Sequence, residues 1–197
     1  MDLRICFVGD SFVNGTGDPT CLGWAGRVCT AARAEGHEIT YYNLGIRRET
    51  SADIKRRWQQ EVIPRLPDRN EGRIVFSFGV NDTTIEDNLR RVKRHDSIQN
   101  ACDILGAAQQ VYPTIMIGPP PIADNEQNVR IADLSAEFAR VCKDLNIPYL
   151  AIFDALITSQ GWMNEVAAQD GAHPYATGYE ELAHLVSHWT GWQNFLK

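Results

Sequence analysis

Two short stretches far apart in the 197-residue sequence carry the residue types needed to move an acyl group to water. Asp170-Gly-Ala-His173-Pro174 sets a carboxylate three residues before an imidazole. On a turn, that spacing lets Asp170 accept from a ring N–H of His173 while Pro174 stiffens the exit. Near the start, Gly9-Asp10-Ser11 follows the apolar run at residues 5–8. A serine hydroxyl is a weak nucleophile until a base takes its proton, and an imidazole held in one tautomer by a carboxylate is such a base. An ester carbonyl under attack also needs N–H donors for its oxyanion, each typically worth about 3–4 kcal/mol of barrier. The candidates are the amide of Ser11 itself, the amide of Gly45, where the missing side chain permits close approach, and the side-chain amide of Asn81. Each residue also has a plainer reading. Asp10 and Ser11 can simply cap a turn, Asn81-Asp82 can form an Asx turn, and Asp170 and His173 can cap and enter a helix. The other histidines fit a base less well: His37 lies in a turn, His95 in a basic run, and His184 and His188 one turn apart in the last helix.

The elements that must position these residues alternate. Apolar strand-like runs at 5–8, 39–43, 73–78, 114–117 and 149–152 are separated by helical patterns at 24–35, 51–63, from 97 to the Tyr112-Pro113 stop, 129–145 and 176–189. Strand and helix in alternation predict a parallel sheet covered on both faces, and right-handed crossovers leave few topologies. The expected fold is a three-layer α/β/α, flavodoxin-like, doubly wound sheet of about five strands in the order 2-1-3-4-5, one domain over residues 1–197. That order centres the first strand and brings Ser11, Gly45 and Asn81 to one carboxyl-end rim, where ligands of open α/β sheets bind. The Asp170–His173 loop follows the last strand and belongs on the same rim.

Composition narrows the partners. With 19 basic and 25 acidic residues the formal charge is -6, which argues against nucleic acid or an anionic membrane as the main partner. The basic run at 90–95 reads as a solvated helix face. No stretch approaches the roughly 20 apolar residues of a transmembrane helix, and the first strand begins too early for a signal peptide ahead of it. Five cysteines without C-x-x-C spacing suggest neither zinc nor a disulfide framework, so a reduced, cytoplasmic protein is expected.

Four blocks, Gly9-Asp10-Ser11, Asn43-Leu44-Gly45, Gly79-Val80-Asn81-Asp82 and Asp170-Gly171-Ala172-His173, stand in order, the first three each after an expected strand. In this the chain resembles the GDSL or SGNH hydrolases over nearly its whole length. The resemblance implies Ser11 as nucleophile, Asp170 and His173 as the rest of a triad, Gly45 and Asn81 beside the Ser11 amide as oxyanion partners, and no metal or organic cofactor. It implies a small-molecule ester or thioester substrate, from acyl lipids to acylated sugars. Two departures stand out. Phe12 replaces the leucine of the family name, and Arg47-Arg48 follow Gly45 where similar relatives often carry a small residue or glycine. Those arginines either salt-bridge at the rim or attract an anionic acyl donor. Asp10, Trp162 in the loop approaching Asp170, and Pro119 and Pro120 after the fourth strand are candidates for substrate contact. For Asp10 the favoured reading is a structural one, fixing the turn, and the prolines read equally as a rigid loop. The alternative class is a non-catalytic flavodoxin-like module holding a phosphate or flavin on the same rim. Gly9 to Gly17 supplies glycine for it, but not the spacing of a phosphate-binding loop.

Overall fold

The computed structural model describes residues 2–66 and 71–197. Strand β1 (Asp2–Gly9) leads through Asp10 into a four-residue helix, α1 (Ser11–Asn14). Helix α2 (Gly23–Ala34), strand β2 (Glu38–Gly45) and helix α3 (Ser51–Val62) follow. After β3 (Gly72–Ser77), a 3-10 turn at Asn81–Thr83 opens a small hairpin of β4 (Ile85–Glu86) and β5 (Leu89–Arg90). Then come α4 (Arg94–Val111), β6 (Thr114–Ile117), α5 (Asn125–Asp144) and β7 (Tyr149–Leu150). Four helices complete the chain: α6 (Phe153–Ile157), α7 (Gln160–Ala168), α8 (Ala176–Ser187) and α9 (Thr190–Phe195).

The main sheet has the order β2-β1-β3-β6-β7 with every pairing parallel, the expected 2-1-3-4-5 arrangement. Its central strands are buried on both faces, which is why they are continuous apolar runs rather than alternating ones. The period of two still sorts them. Ile5, Phe7, Val75, Ile115 and Ile117 pack against α2, α7, α8 and α9 through Trp24, Trp162, Tyr179 and Trp192. Cys6, Val8, Ile74, Phe76 and Met116 face α3, α4 and α5 through Ile54, Trp58, Leu105 and Phe138.

Helix α3 is capped by Thr50, whose hydroxyl accepts from the Asp53 N–H while the Asp53 carboxylate accepts from the Thr50 N–H. Several expectations are corrected. The basic run is split between β5 and the start of α4, because Asp87 and Asn88 take left-handed conformations (φ 52° and 61°) that turn the chain back into a hairpin. The fifth strand shrinks to two residues at the sheet edge. The stretch expected as a loop before Asp170 is helical, burying Leu156, Trp162 and Val166 at spacings too sparse to read as a pattern. The last long helix stops at Ser187, and Trp189 begins a further one.

Candidate active site

Strand β1 closes on a glycine because position 9 has no room for a side chain: a Cβ there would fall 2.0 Å from the Ser77 carbonyl oxygen. Asp10 then caps α1, its Oδ1 accepting from the Phe12 N–H at 3.0 Å. Ser11 thereby occupies the first helical position, whose own N–H has no partner inside the helix. The residue is 4% exposed.

The Asp170–His173 turn meets it from the other end of the chain. His173 Nε2 lies 2.7 Å from Ser11 Oγ, and Nδ1 lies 2.8 Å from Asp170 Oδ2. The other carboxylate oxygen, Oδ1, accepts from the N–H groups of Ala172 (3.0 Å) and His173 (2.9 Å). Burial would raise the Asp170 pKa, but these donors outweigh it and hold the carboxyl below its ordinary range. An ionised carboxylate only accepts, so Nδ1 carries the ring proton and the Nε2 lone pair faces the serine hydroxyl. His173 is buried, and its ring packs against Phe12 with centroids 4.9 Å apart.

Asn81 joins them through its amide, which donates to the Glu49 carbonyl at 2.9 Å and lies 3.4 Å from Asp10 Oδ2. Gly45 does not behave as expected. Its N–H donates to Asn43 Oδ1 at 3.0 Å, while the next amide, Ile46 N–H, bonds Gly9 O of β1. Successive amides of a strand point to opposite sides, so the Gly45 amide is turned away from β1 and is taken up by Asn43. Its small size serves packing instead, since a Cβ there would come within 2.2 Å of Asn14 N and 2.7 Å of Asp10 O in the α1 backbone.

Asp10 and Trp162, candidates for substrate contact, lie inside the fold. Asp10 is 1% exposed, and burial, reinforced by the nearby Asp82 carboxyl, raises its pKa to about 7 against the lowering effect of the Phe12 amide. It offers no surface to substrate. Trp162 lies in α7, is fully buried, donates from Nε1 to Pro121 O at 3.0 Å and stacks behind Phe12, so it backs the site without reaching it. Pro119 and Pro120 are buried in the segment after β6. Arg48 pairs with Glu86 of the hairpin at 2.9 Å and holds a left-handed φ of 66°, and Arg47 is exposed.

Sequence reasoning missed Arg57. Its guanidinium donates to Gly9 O (3.0 Å) and Leu44 O (2.9 Å), the last turns of β1 and β2, and pairs with Glu49 and Glu61. An arginine on an amphipathic helix carries no signal of that use, because two of its partners are backbone carbonyls.

A family model described as GDSL-like lipase/acylhydrolase matches residues 7–181. No curated protein matches the sequence. Among solved structures, a lipase/acylhydrolase from Enterococcus faecalis is 25% identical with a TM-score of 0.78, over 97% of this chain and 96% of that one. Axe2, an acetylxylan esterase from Geobacillus stearothermophilus, is 19% identical with a TM-score of 0.76, over 93% and 91%. Catalytic mutants of Axe2 replace a serine, an aspartate and a histidine. LAE5, an alpha/beta hydrolase from the metagenome of Lake Arreo, Spain, is 18% identical with a TM-score of 0.74, over 94% of both chains.

Proposed function

The chain belongs to the GDSL-like lipase/acylhydrolase family, and from that premise we propose that it hydrolyses carboxylic esters through an acyl-enzyme on Ser11. The observation that carries the proposal is the continuous hydrogen-bonded line from Ser11 Oγ through His173 to Asp170, at 2.7 and 2.8 Å. Ser11 Oγ attacks the ester carbonyl as His173 Nε2 takes its proton. Asp170 remains ionised, keeps the ring in the required tautomer and offsets the imidazolium charge. The Ser11 N–H and the Asn81 side-chain amide donate to the tetrahedral oxyanion. His173 returns the proton to the leaving alcohol, and a water deprotonated by the same nitrogen releases the acid.

The substrate is a small ester, an acyl lipid or an acylated sugar. The acetylxylan esterase activity of one structural relative is compatible with the second and does not decide between them. A chain-length series of nitrophenyl esters alongside acetylated xylo-oligosaccharides, compared by kcat/KM, separates the two. The mechanism is tested by a fluorophosphonate probe. It is expected to label the native protein and not Ser11→Ala, and ester turnover is expected to fall at least about a thousandfold in Ser11→Ala and His173→Ala. Equal labelling of native protein and Ser11→Ala would remove the serine from its assigned role.

A further inference from the structure

We infer that Phe12 is a positioning residue for His173, walling the face of the imidazole and stabilising the positive charge it acquires on accepting the Ser11 proton. The inference rests on the hydrolase reading above. The two hydrogen bonds to His173 enter at Nδ1 and Nε2, and two such contacts leave the ring free to rock about the line joining them. A third contact, out of the ring plane, removes that freedom. Phe12 supplies it, with centroids 4.9 Å apart and planes 38° apart.

The wall is itself fastened. Phe12 is 2% exposed and is backed by Trp162 at 6.3 Å and 21°. Trp162 is pinned by its bond to Pro121 O and met edge-on by Tyr179, whose hydroxyl donates to Thr16 O just beyond α1 at 2.7 Å. The turn that presents the nucleophile therefore also carries the wall of its base. An aromatic ring this close to a buried cation favours the charged form, and position 12 holds phenylalanine where the family name has leucine.

Phe12→Leu tests the inference, with Phe12→Met as a second non-aromatic variant should the first fold poorly. The readout is the NMR titration of the His173 ring, assigned with His173→Gln. The polar groups on that ring are Asp170 of its own loop and Ser11 of the β1–α1 turn, with Asp10 next to Ser11 in that turn and Tyr179 of α8 behind Trp162. Asp10 titrates near neutrality, so the series is repeated with Asp10→Asn in place. The midpoint is expected to fall by about half a pH unit in both variants. The acid limb of kcat should move with it, and kcat should drop severalfold at unchanged KM. An unchanged midpoint overturns the inference. So does a raised one, which mere entry of water beside the imidazolium would produce. Lack of ester turnover by the native protein would instead defeat the hydrolase reading, and the ring titration would still decide whether Phe12 acts on His173.

Discussion

At the scale of single residues, the site divides between groups that act by their own atoms and groups that act through the backbone. Ser11, Asp170 and His173 were legible because their chemistry resides in the side chain, and the i, i+3 spacing of the last two already brings Nδ1 to Oδ2. Asn81 is a candidate for the same reason, and the structure fixes the orientation of its amide. The Glu49 carbonyl and the Asp10 carboxyl both accept from its amide nitrogen, so the nitrogen rather than the oxygen lies on the Asp10 side. Asn81→Ala is therefore expected to lower kcat by about a hundred- to a thousandfold with KM little changed, the signature of a donor used in the transition state. Steady-state kinetics on a nitrophenyl ester measures it, and a loss confined to KM would mean that Asn81 binds ground-state substrate instead. Gly45 was misread because a glycine in a motif says that something approaches closely, not what approaches. The direction of its amide follows from strand parity, which appears only once the Ile46 bond to Gly9 is known.

At the scale of elements, α1 rests on Gly45 while α3 reaches back to hold the ends of β1 and β2 through Arg57. The position of Ser11 is thus a property of three elements. Gly45→Ala drives a methyl into the α1 backbone, where no side chain can swing aside, and is expected to destabilise by at least about 2–3 kcal/mol. Because the displaced helix carries Ser11, kcat should fall together with the denaturation midpoint. A variant that lost stability but kept full kcat would show that α1 relaxes without moving the serine. Arg57→Met removes the clamp while keeping the apolar stem, taking the guanidinium from the Gly9 and Leu44 carbonyls and from Glu49 and Glu61, and is expected to lower both quantities as well. The strand and helix order was readable because burial on both faces imposes long apolar runs. The β4–β5 hairpin was not, since its turn depends on left-handed Asp87 and Asn88, nor were α6 and α7, whose buried residues are too few to set a period.

At the scale of the whole molecule, the charges buried around the site oppose one another in their effect on stability. Asp18, ion-paired with Arg27, is held at about 2, its hydrogen bonds outweighing burial, and Asp170 is lowered in the same way. Both bind protons more weakly in the folded chain than in the unfolded one, so the stability they give is present above the ordinary carboxylate range and is lost as pH falls through their folded values. Asp10, raised by burial to about 7, and Asp82 and Glu49, raised also by burial, have the opposite sign. Between about pH 4 and 7 the folded chain keeps a proton on Asp10 that the unfolded chain has released, so stability falls as pH rises through this window and levels off above it. The cost ascribed to Asp10 is on the order of 4 kcal/mol at alkaline pH. Asp10→Asn keeps the acceptor for the Phe12 N–H and carries no charge, so it should hold its stability where the native protein declines. Urea denaturation at pH 4.5, 6 and 8 measures the difference directly. Parallel declines in the two proteins would mean that Asp10 is already neutralised by a partner in the native fold or hydrated enough to ionise freely, and its burial would then cost nothing.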